Sequence, residues 1–222
     1  VGHRRVLAAT TPSPYWSAGI HNLQQFLGRV GGAIRSFDVD ARPTSAMLDE
    51  LAATQSTAVL LLIGKAKTAA EIIKAVRTHP SLGDILFAAP AGQPELAERR
   101  TVLGKDIAAI PFLRYMPVRM SALGQRVQSM LGDKLQETPS FVAFEGYDTV
   151  TLRAAAVRLG GCTRAGVAGA LSRVCVEGTR GTILLSRATG MQIRQWVEAP
   201  IQVVDHDPDV TDRLRVQYPV HP

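Results

Sequence analysis

The chain has 222 residues, 46% of them hydrophobic and 20% charged, the balance of a globular protein with one large core or two lobes. No apolar run approaches the ~18 residues of a membrane-spanning helix, and the opening VGHRRVLAATT lacks the charged-then-apolar pattern of a secretory signal. The net charge of +6 comes from scattered lysines and arginines with no basic stripe interleaved with aromatics, so no nucleic-acid partner is expected.

In chain order, residues 4–9 (RRVLAA) read as a strand, and 18–30 as a helix with Ile20, Leu23, Phe26, Leu27 and Val30 at helical spacing. Gly31 and Gly32 stop that helix. Residues 33–38 (AIRSFD) alternate as a strand does. ARPTS is a loop, and Ser45 is placed to cap a helix over 46–54. The continuous apolar run 58–63 (AVLLLI) marks a strand buried on both faces. A helix over 68–77, a buried strand over 85–89, a helix near 94–101 and a strand near 106–112 follow.

Such alternation implies a parallel sheet with helices on both faces, hence an α/β doubly wound parallel sheet. Ligands of such sheets bind beyond the carboxyl ends of the strands, where the strand order reverses. TTPSPYWS, GKAKT and PAGQPE each follow a strand directly, so all three line one edge. Past residue 113 the pattern changes. LRYMPVR is a proline-marked linker, 119–135 reads as a helix, and a long helix runs from about 141 to 159 until Gly160 and Gly161 end it. A short helix over 164–173, a turn into a strand at VEGTRGTILLS, and one or two strands in MQIRQWVEAPIQVV come next. The expected division is 1–113 as a doubly wound lobe, 114–204 as an incomplete partner lobe with crossing segments, and 205–222 as a loosely held tail.

No catalytic set emerges: there is no Gly-x-Ser-x-Gly, no His-Glu-x-x-His, and the five histidines lie in termini, loops or a helix face. No metal or cofactor is expected. GKAKT is not a phosphate loop, because Val59 stands where the first glycine belongs and no Ser or Thr follows the lysine. DHDPD (205–209) lacks the spacing of a calcium loop. Gly28, within the helix, and Gly31 and Gly32, after it, do not follow a strand and read as structural. Cys162 and Cys175 fit no zinc pattern. A full helix between them would hold them ~15 Å apart, against the ~7 Å limit for a disulfide, so a bridge requires the flanks to fold back; two free buried thiols are the other reading.

The order of these pieces resembles the substrate-binding proteins of branched-chain amino-acid type ABC importers, which have the type I periplasmic-binding fold of two lobes joined by three crossing segments. VLAATTPSPYWSAG stands where the second lobe of such proteins opens, with Tyr15 at the family's tyrosine and Trp16 where glycine is usual. AVLLLIGKAKTAAEII, FAAPAG and YMP match a strand-to-helix turn, a proline-containing strand end and a crossing segment. FVAFEGYDTVTLRAAAVRLGG matches the late Tyr-Asp helix, and GALSRVCVEGTRGTILLS the glycine-bracketed turn after it. The match covers roughly residues 1–204. Residues forming most of the first lobe of such proteins have no counterpart here, so a separate N-terminal piece or a homodimer partner is expected to complete the fold. It would cover an apolar stripe on the long helix: Phe144, Tyr147, Val150, Ala154 and Val157.

The resemblance implies a non-enzymatic solute-binding component of an ABC importer, exposed at the cell surface or in the periplasm and serving a permease. A ligand-sensing module of the same fold in a signalling protein is the alternative, and a small α/β enzyme a third. The ligand-binding residues implied are Tyr15, Trp16, Ser17, Lys65, Lys67, Ala91 and Gln93, on the strand-end edge. Tyr15 and Trp16 offer aromatic contact area, although either also serves as a staple packing its loop on the helix. Lys65 and Lys67 lie beside a helix N-terminus, which favours anions; simple solvent exposure is the other reading. Ala91 falls where amino-acid-binding relatives carry an acid for the ligand ammonium. A neutral-aromatic or anionic small molecule is therefore expected, not an aliphatic amino acid.

Overall fold

The computed structural model of the chain describes residues 2–90, 97–136, 138–186, 194–210 and 213–219. The chain divides into two compact units, Val1–Leu113 with Val204–Gln217, and Arg114–Val203 with Tyr218–Pro222.

In the first unit, β1 (Arg5–Thr10), β2 (Ala33–Asp38), β3 (Ala58–Leu62) and β4 (Leu86–Ala88) form a sheet in the order β2-β1-β3-β4, every neighbouring pair parallel. Ala89 adds a parallel bridge to Phe112, the first residue of β5 (Phe112–Arg114). The intervening helices are α1 (Pro14–Arg29), α2 (Thr44–Thr54), α3 (Ala66–Thr78) and α4 (Ala97–Leu103), followed by a 3-10 turn over Gly104–Ala109. The fold class expected from the strand–helix alternation is the one observed.

Side-chain alternation decides which helix covers which face. Ala8, Ile34, Leu60 and Leu62 turn to one side, where α1 packs Trp16, Ile20, Leu23 and Leu27 on them. Leu7, Ala9, Phe37, Val59, Leu61, Ile63 and Phe87 turn to the other. There α2 contributes Met47 and Leu51, α3 contributes Ile72, Ile73 and Val76, and α4 Leu103. The AVLLLI run is continuous because both of its faces are covered. α1 lies on the opposite face from α2 and α3 because β1→β2 runs one way along the sheet and β2→β3 returns past β1; right-handed crossovers then force opposite faces.

Three expected boundaries shift. The helix expected over 18–30 begins at Pro14, since Ser13 caps it, accepting from Tyr15 N at 3.2 Å, and proline suits the first helical position. Ser45 is not a cap: α2 starts at Thr44 with Pro43 before it. The strand expected near 106–112 is a 3-10 turn followed by β5. The helix expected near 94–101 lies partly outside the described residues.

The second unit contains α5 (Ala122–Leu135), α6 (Phe141–Gly160), α7 (Arg164–Ala170), β6 (Cys175–Gly178), β7 (Gly181–Ser186) and β8 (Gln195–Trp196), the strands in the order β6-β7-β8. Its organising feature is the turn Gly178-Thr179-Arg180-Gly181. Asp148 on α6 is 3% exposed and accepts from Thr179 N at 2.7 Å, Thr179 Oγ1 at 2.9 Å and Arg180 Nε at 3.3 Å. Arg180 also donates to the Tyr115 carbonyl at 3.0 Å and to Glu145 at 3.3 Å, and its guanidinium lies 5.4 Å from the Trp196 ring centre. Ser121, the cap of α5, donates to the carbonyls of Gly178 and Thr179 at 3.1 and 3.0 Å. A Cβ on Gly124 would stand 2.0 Å from the Thr179 oxygen, so only glycine lets α5 approach this closely. The Tyr-Asp helix and the glycine-bracketed turn are thus two halves of one buried polar contact.

The segment 205–222, expected to be a loose tail, is instead structured through most of its length. β9 (Gln202–His206) and β10 (Leu214–Pro219) join β5 in the order β10-β9-β5. Arg215 binds Asp205 through two nitrogens at 3.0 and 2.8 Å. Asp207 accepts from Arg213 Nε at 3.0 Å and from the backbone of Asp209 and Val210 at 2.9 and 3.2 Å. Polar composition suggested a free tail, but these aspartates and arginines pair within the hairpin.

On α6, Phe144 of the expected apolar stripe is buried in the second unit's own core, with Met116 and Val127. Tyr147, Val150 and Ala154 remain exposed, Val150 at 70%. Cys162 and Cys175 are both free and exposed, not buried.

Candidate functional site

The strand order of the first unit reverses between β1 and β3, and the ends of β2, β1 and β3 are level there, Thr10 pairing with Asp38 on one side and Leu62 on the other. Two helices start beyond this reversal, α1 after β1 and α3 after β3.

Tyr15, Trp16 and Ser17 lie in the first turn of α1. Trp16 is half-buried, packed with Ile20 and Leu23 onto the cluster of Ala8, Leu27, Ile34 and Leu62. Tyr15 is 71% exposed and meets the Trp16 ring edge-on, centroids 4.8 Å apart at 66°. The tryptophan thus staples the helix start to the sheet, and the tyrosine, propped on it, presents its ring to solvent. Ser17 is exposed, and its N–H makes the first helical bond to the Ser13 carbonyl at 2.9 Å.

Lys65 precedes α3, and Lys67 is exposed in the helix's first turn, which holds no acidic residue. Lys65 Nζ donates to Asp40 Oδ1 at 3.0 Å, with the two side chains 64% and 44% exposed. Asp40 follows β2 in a turn closed by Asp38, whose Oδ1 accepts from Asp40 N at 2.9 Å and Ala41 N at 3.2 Å. The ion pair therefore links the turn after β2 to the turn after β3, past the end of β1. Reading the edge from Ala91 alone leaves it without an acidic partner for an ammonium, and Asp40 corrects this by placing a carboxylate there. The signal was legible, since Asp40 follows a strand as the other loops of this edge do. Ala91 and Gln93 lie outside the described residues.

Below the edge sits Arg99 on α4, 1% exposed, donating through Nη2 to the carbonyl of Ile63. Burial lowers its pKa, and the charge of Glu98 opposes that shift. Arg99 ties α4 to the end of the β3 segment two residues before Lys65. Nothing in the sequence distinguishes this arginine from those on exposed helix faces.

Among the described residues no group of three or more His, Cys, Asp or Glu side chains is placed to hold a metal ion. None of the described helices is long and apolar enough to cross a membrane. A shallow polar depression in the second unit, lined by Gln128, Gly132, Asp133, Gln136, Thr138 and Pro139, lies on different elements from this edge.

The sheet order and its reversal between β1 and β3 are features of the type I periplasmic-binding fold, and comparison with solved structures gives the same fold. A leucine-binding protein from Thermotoga maritima matches 99% of this chain over 61% of its own length, with a TM-score of 0.73 and 16% identity. An ABC-transporter solute-binding protein from R. palustris, in complex with benzoate, matches 100% over 59% of its length, with a TM-score of 0.72 and 15% identity. A fatty acid ABC transporter substrate-binding protein from Thermomonospora curvata matches 99% over 58%, with a TM-score of 0.70 and 13% identity. The chain thus spans about three fifths of the length of these structures. No protein-family model and no curated protein matches it by sequence.

Proposed function

We propose that this chain is the ligand-binding part of a solute-binding protein of an ABC importer, non-enzymatic, acting outside the cytoplasm and delivering its cargo to a permease. The observation that carries the reading is the strand-order reversal that gathers Tyr15, Trp16, Ser17, Lys65 and Lys67 on one edge, in a fold matched over nearly the whole chain by solute-binding proteins.

The ligand class is a neutral-aromatic or anionic small molecule. Tyr15 supplies an exposed ring for stacking, and Lys65, Lys67 and the α1 and α3 N-termini supply a positive end for a carboxylate. The benzoate complex and the fatty-acid-transporter protein among the neighbours carry this chemistry in their names. A further piece of chain or a second copy covers the exposed face of α6 at Tyr147, Val150 and Ala154. Light scattering on the protein is expected to show either a dimer or a bound further piece; a compact monomer of 23.9 kDa with no bound fragment would count against both.

Calorimetry on the protein tests the ligand site. Benzoate-like aromatic carboxylates are expected to bind. Tyr15→Ala should weaken them by about 1 kcal/mol, the scale of an aromatic contact. Lys65→Ala should weaken them by about 1–3 kcal/mol, the scale of a charge-assisted hydrogen bond. Micromolar binding of leucine or valine that neither substitution alters would overturn both the site and the ligand class.

A further inference from the structure

We infer that Asp40 sets the charge preference of the strand-end edge by competing with the ligand for Lys65, an inference that rests on the ligand-binding reading above. Asp40 belongs to no part of the edge foreseen from sequence, yet it is the group that Lys65 meets, at 3.0 Å.

Both partners of this contact stand on anchored backbone. The Asp40 backbone is held by the Asp38 side chain through two N–H donors, and Val39 N bonds the Thr10 carbonyl at 3.0 Å, so the turn after β2 is tied to both β2 and β1. On the other side, Arg99 grips the Ile63 carbonyl two residues before Lys65. Both carriers of the ion pair thus sit on anchored backbone, and forming the pair orders little beyond two side-chain ends. At 64% and 44% exposure both partners stay reachable by a ligand arriving from solvent. In the free protein one donor of the Lys65 ammonium is taken by Asp40, and its charge is partly offset there. An incoming carboxylate shares or displaces that contact and in either case binds beside a second negative charge, whereas an uncharged aromatic leaves the pair intact. The edge therefore discriminates against weakly held anions, and Asp40 is a specificity-determining residue that acts through Lys65.

Among the described residues the Asp40 carboxylate bonds to Lys65 alone, so Asp40→Asn leaves the turn and the fold intact, checked by circular dichroism. Benzoate and benzamide, alike in shape and different in charge, are titrated into wild type, Asp40→Asn, Lys65→Ala and the double variant. Asp40→Asn should tighten benzoate by about two- to fivefold, the range of an exposed ion pair, and leave benzamide unchanged. In the Lys65→Ala background the same substitution should give no such gain.

Benzoate binding that Lys65→Ala weakens but Asp40→Asn leaves unchanged overturns the competition and spares the ligand reading. Equal tightening of benzamide and benzoate overturns it as well, since the effect would not depend on ligand charge. If leucine binds and Asp40→Asn abolishes that binding, Asp40 is a ligand partner and not a competitor. Failure of both probes to bind any variant removes the ligand reading and the competition with it.

Discussion

Replacing Asp148 by Asn tests the buried contact that organises the second unit. The carboxylate accepts three hydrogen bonds and faces an Arg180 side chain only 6% exposed. In asparagine one oxygen becomes an NH2 group. At Oδ1 it would oppose the Thr179 N–H, which cannot turn away. At Oδ2 it opposes Arg180 Nε–H, while the Thr179 hydroxyl can rotate to accept from it. The second arrangement is less costly, but leaves the guanidinium with Glu145, whose side chain is 42% exposed and therefore screened. Loss of one hydrogen bond to a charged group costs about 1.5–3 kcal/mol, and breaking a buried ion pair about 3–5 kcal/mol. The retained Thr179 bonds and Glu145 place the expected loss at about 2–4 kcal/mol, a fall of roughly 5–15 °C in Tm for a chain of this size.

The assay is a thermal or denaturant melt followed by Trp196 fluorescence in a Trp16→Phe background, so that the remaining tryptophan reports the second unit. Arg180→Met added to Asp148→Asn should recover part of the loss, because removing both members of a buried pair leaves no orphan charge. A destabilisation below about 0.5 kcal/mol, or strict additivity of the two substitutions, would refute the account.

Gly124→Ala should destabilise the same unit by about 1–3 kcal/mol in that melt, because its Cβ would meet the Thr179 carbonyl at 2.0 Å and either α5 or the turn must shift. Ser13→Ala should cost the first unit about 1 kcal/mol by uncapping α1, read by Trp16 fluorescence with Trp196 replaced, and Ser13→Asp should restore it. The hydrogen bond from Arg213, then that from Asp209 N, holds the Asp207 carboxyl below the ordinary carboxylate range. A depressed folded pKa means that its stabilisation is fully present above the unfolded value near ~3.9 and is lost as pH falls through the folded value. Wild type and Asp207→Asn should therefore differ by a constant margin above about pH 5 and converge below about pH 4. A margin that does not change with pH would contradict this.

The chain's local pattern determined the α/β class and which loops share the carboxyl-end edge of the strands. The run at 58–63 is apolar at every position, and helix-period segments separate it from its neighbours. A parallel sheet covered on both faces buries such strands, and its loops then alternate between the carboxyl-end edge and the opposite edge. Tyr15 and Lys65 could be placed on that edge because position after a strand is a one-dimensional property.

Contacts between segments far apart in sequence were decided only by the tertiary structure. Lys65 and Asp40 stand 25 positions apart, and their meeting depends on β2 and β3 lying on either side of β1. Whether Trp16 faces outward or toward the core turned on α1 beginning at Pro14, which set the ring against the cluster of Ala8, Leu27, Ile34 and Leu62. Arg99 looks like any surface arginine until the fold places the Ile63 carbonyl beside it. Asp205 and Asp207 looked like a solvated tail because composition counts charges without pairing them, and Arg215 and Arg213 become their partners only once β9 and β10 turn back on each other. Periodicity reports how a residue faces its own element. Which partner stands opposite is set by the order and register of the elements, and that order is a property of the packed whole.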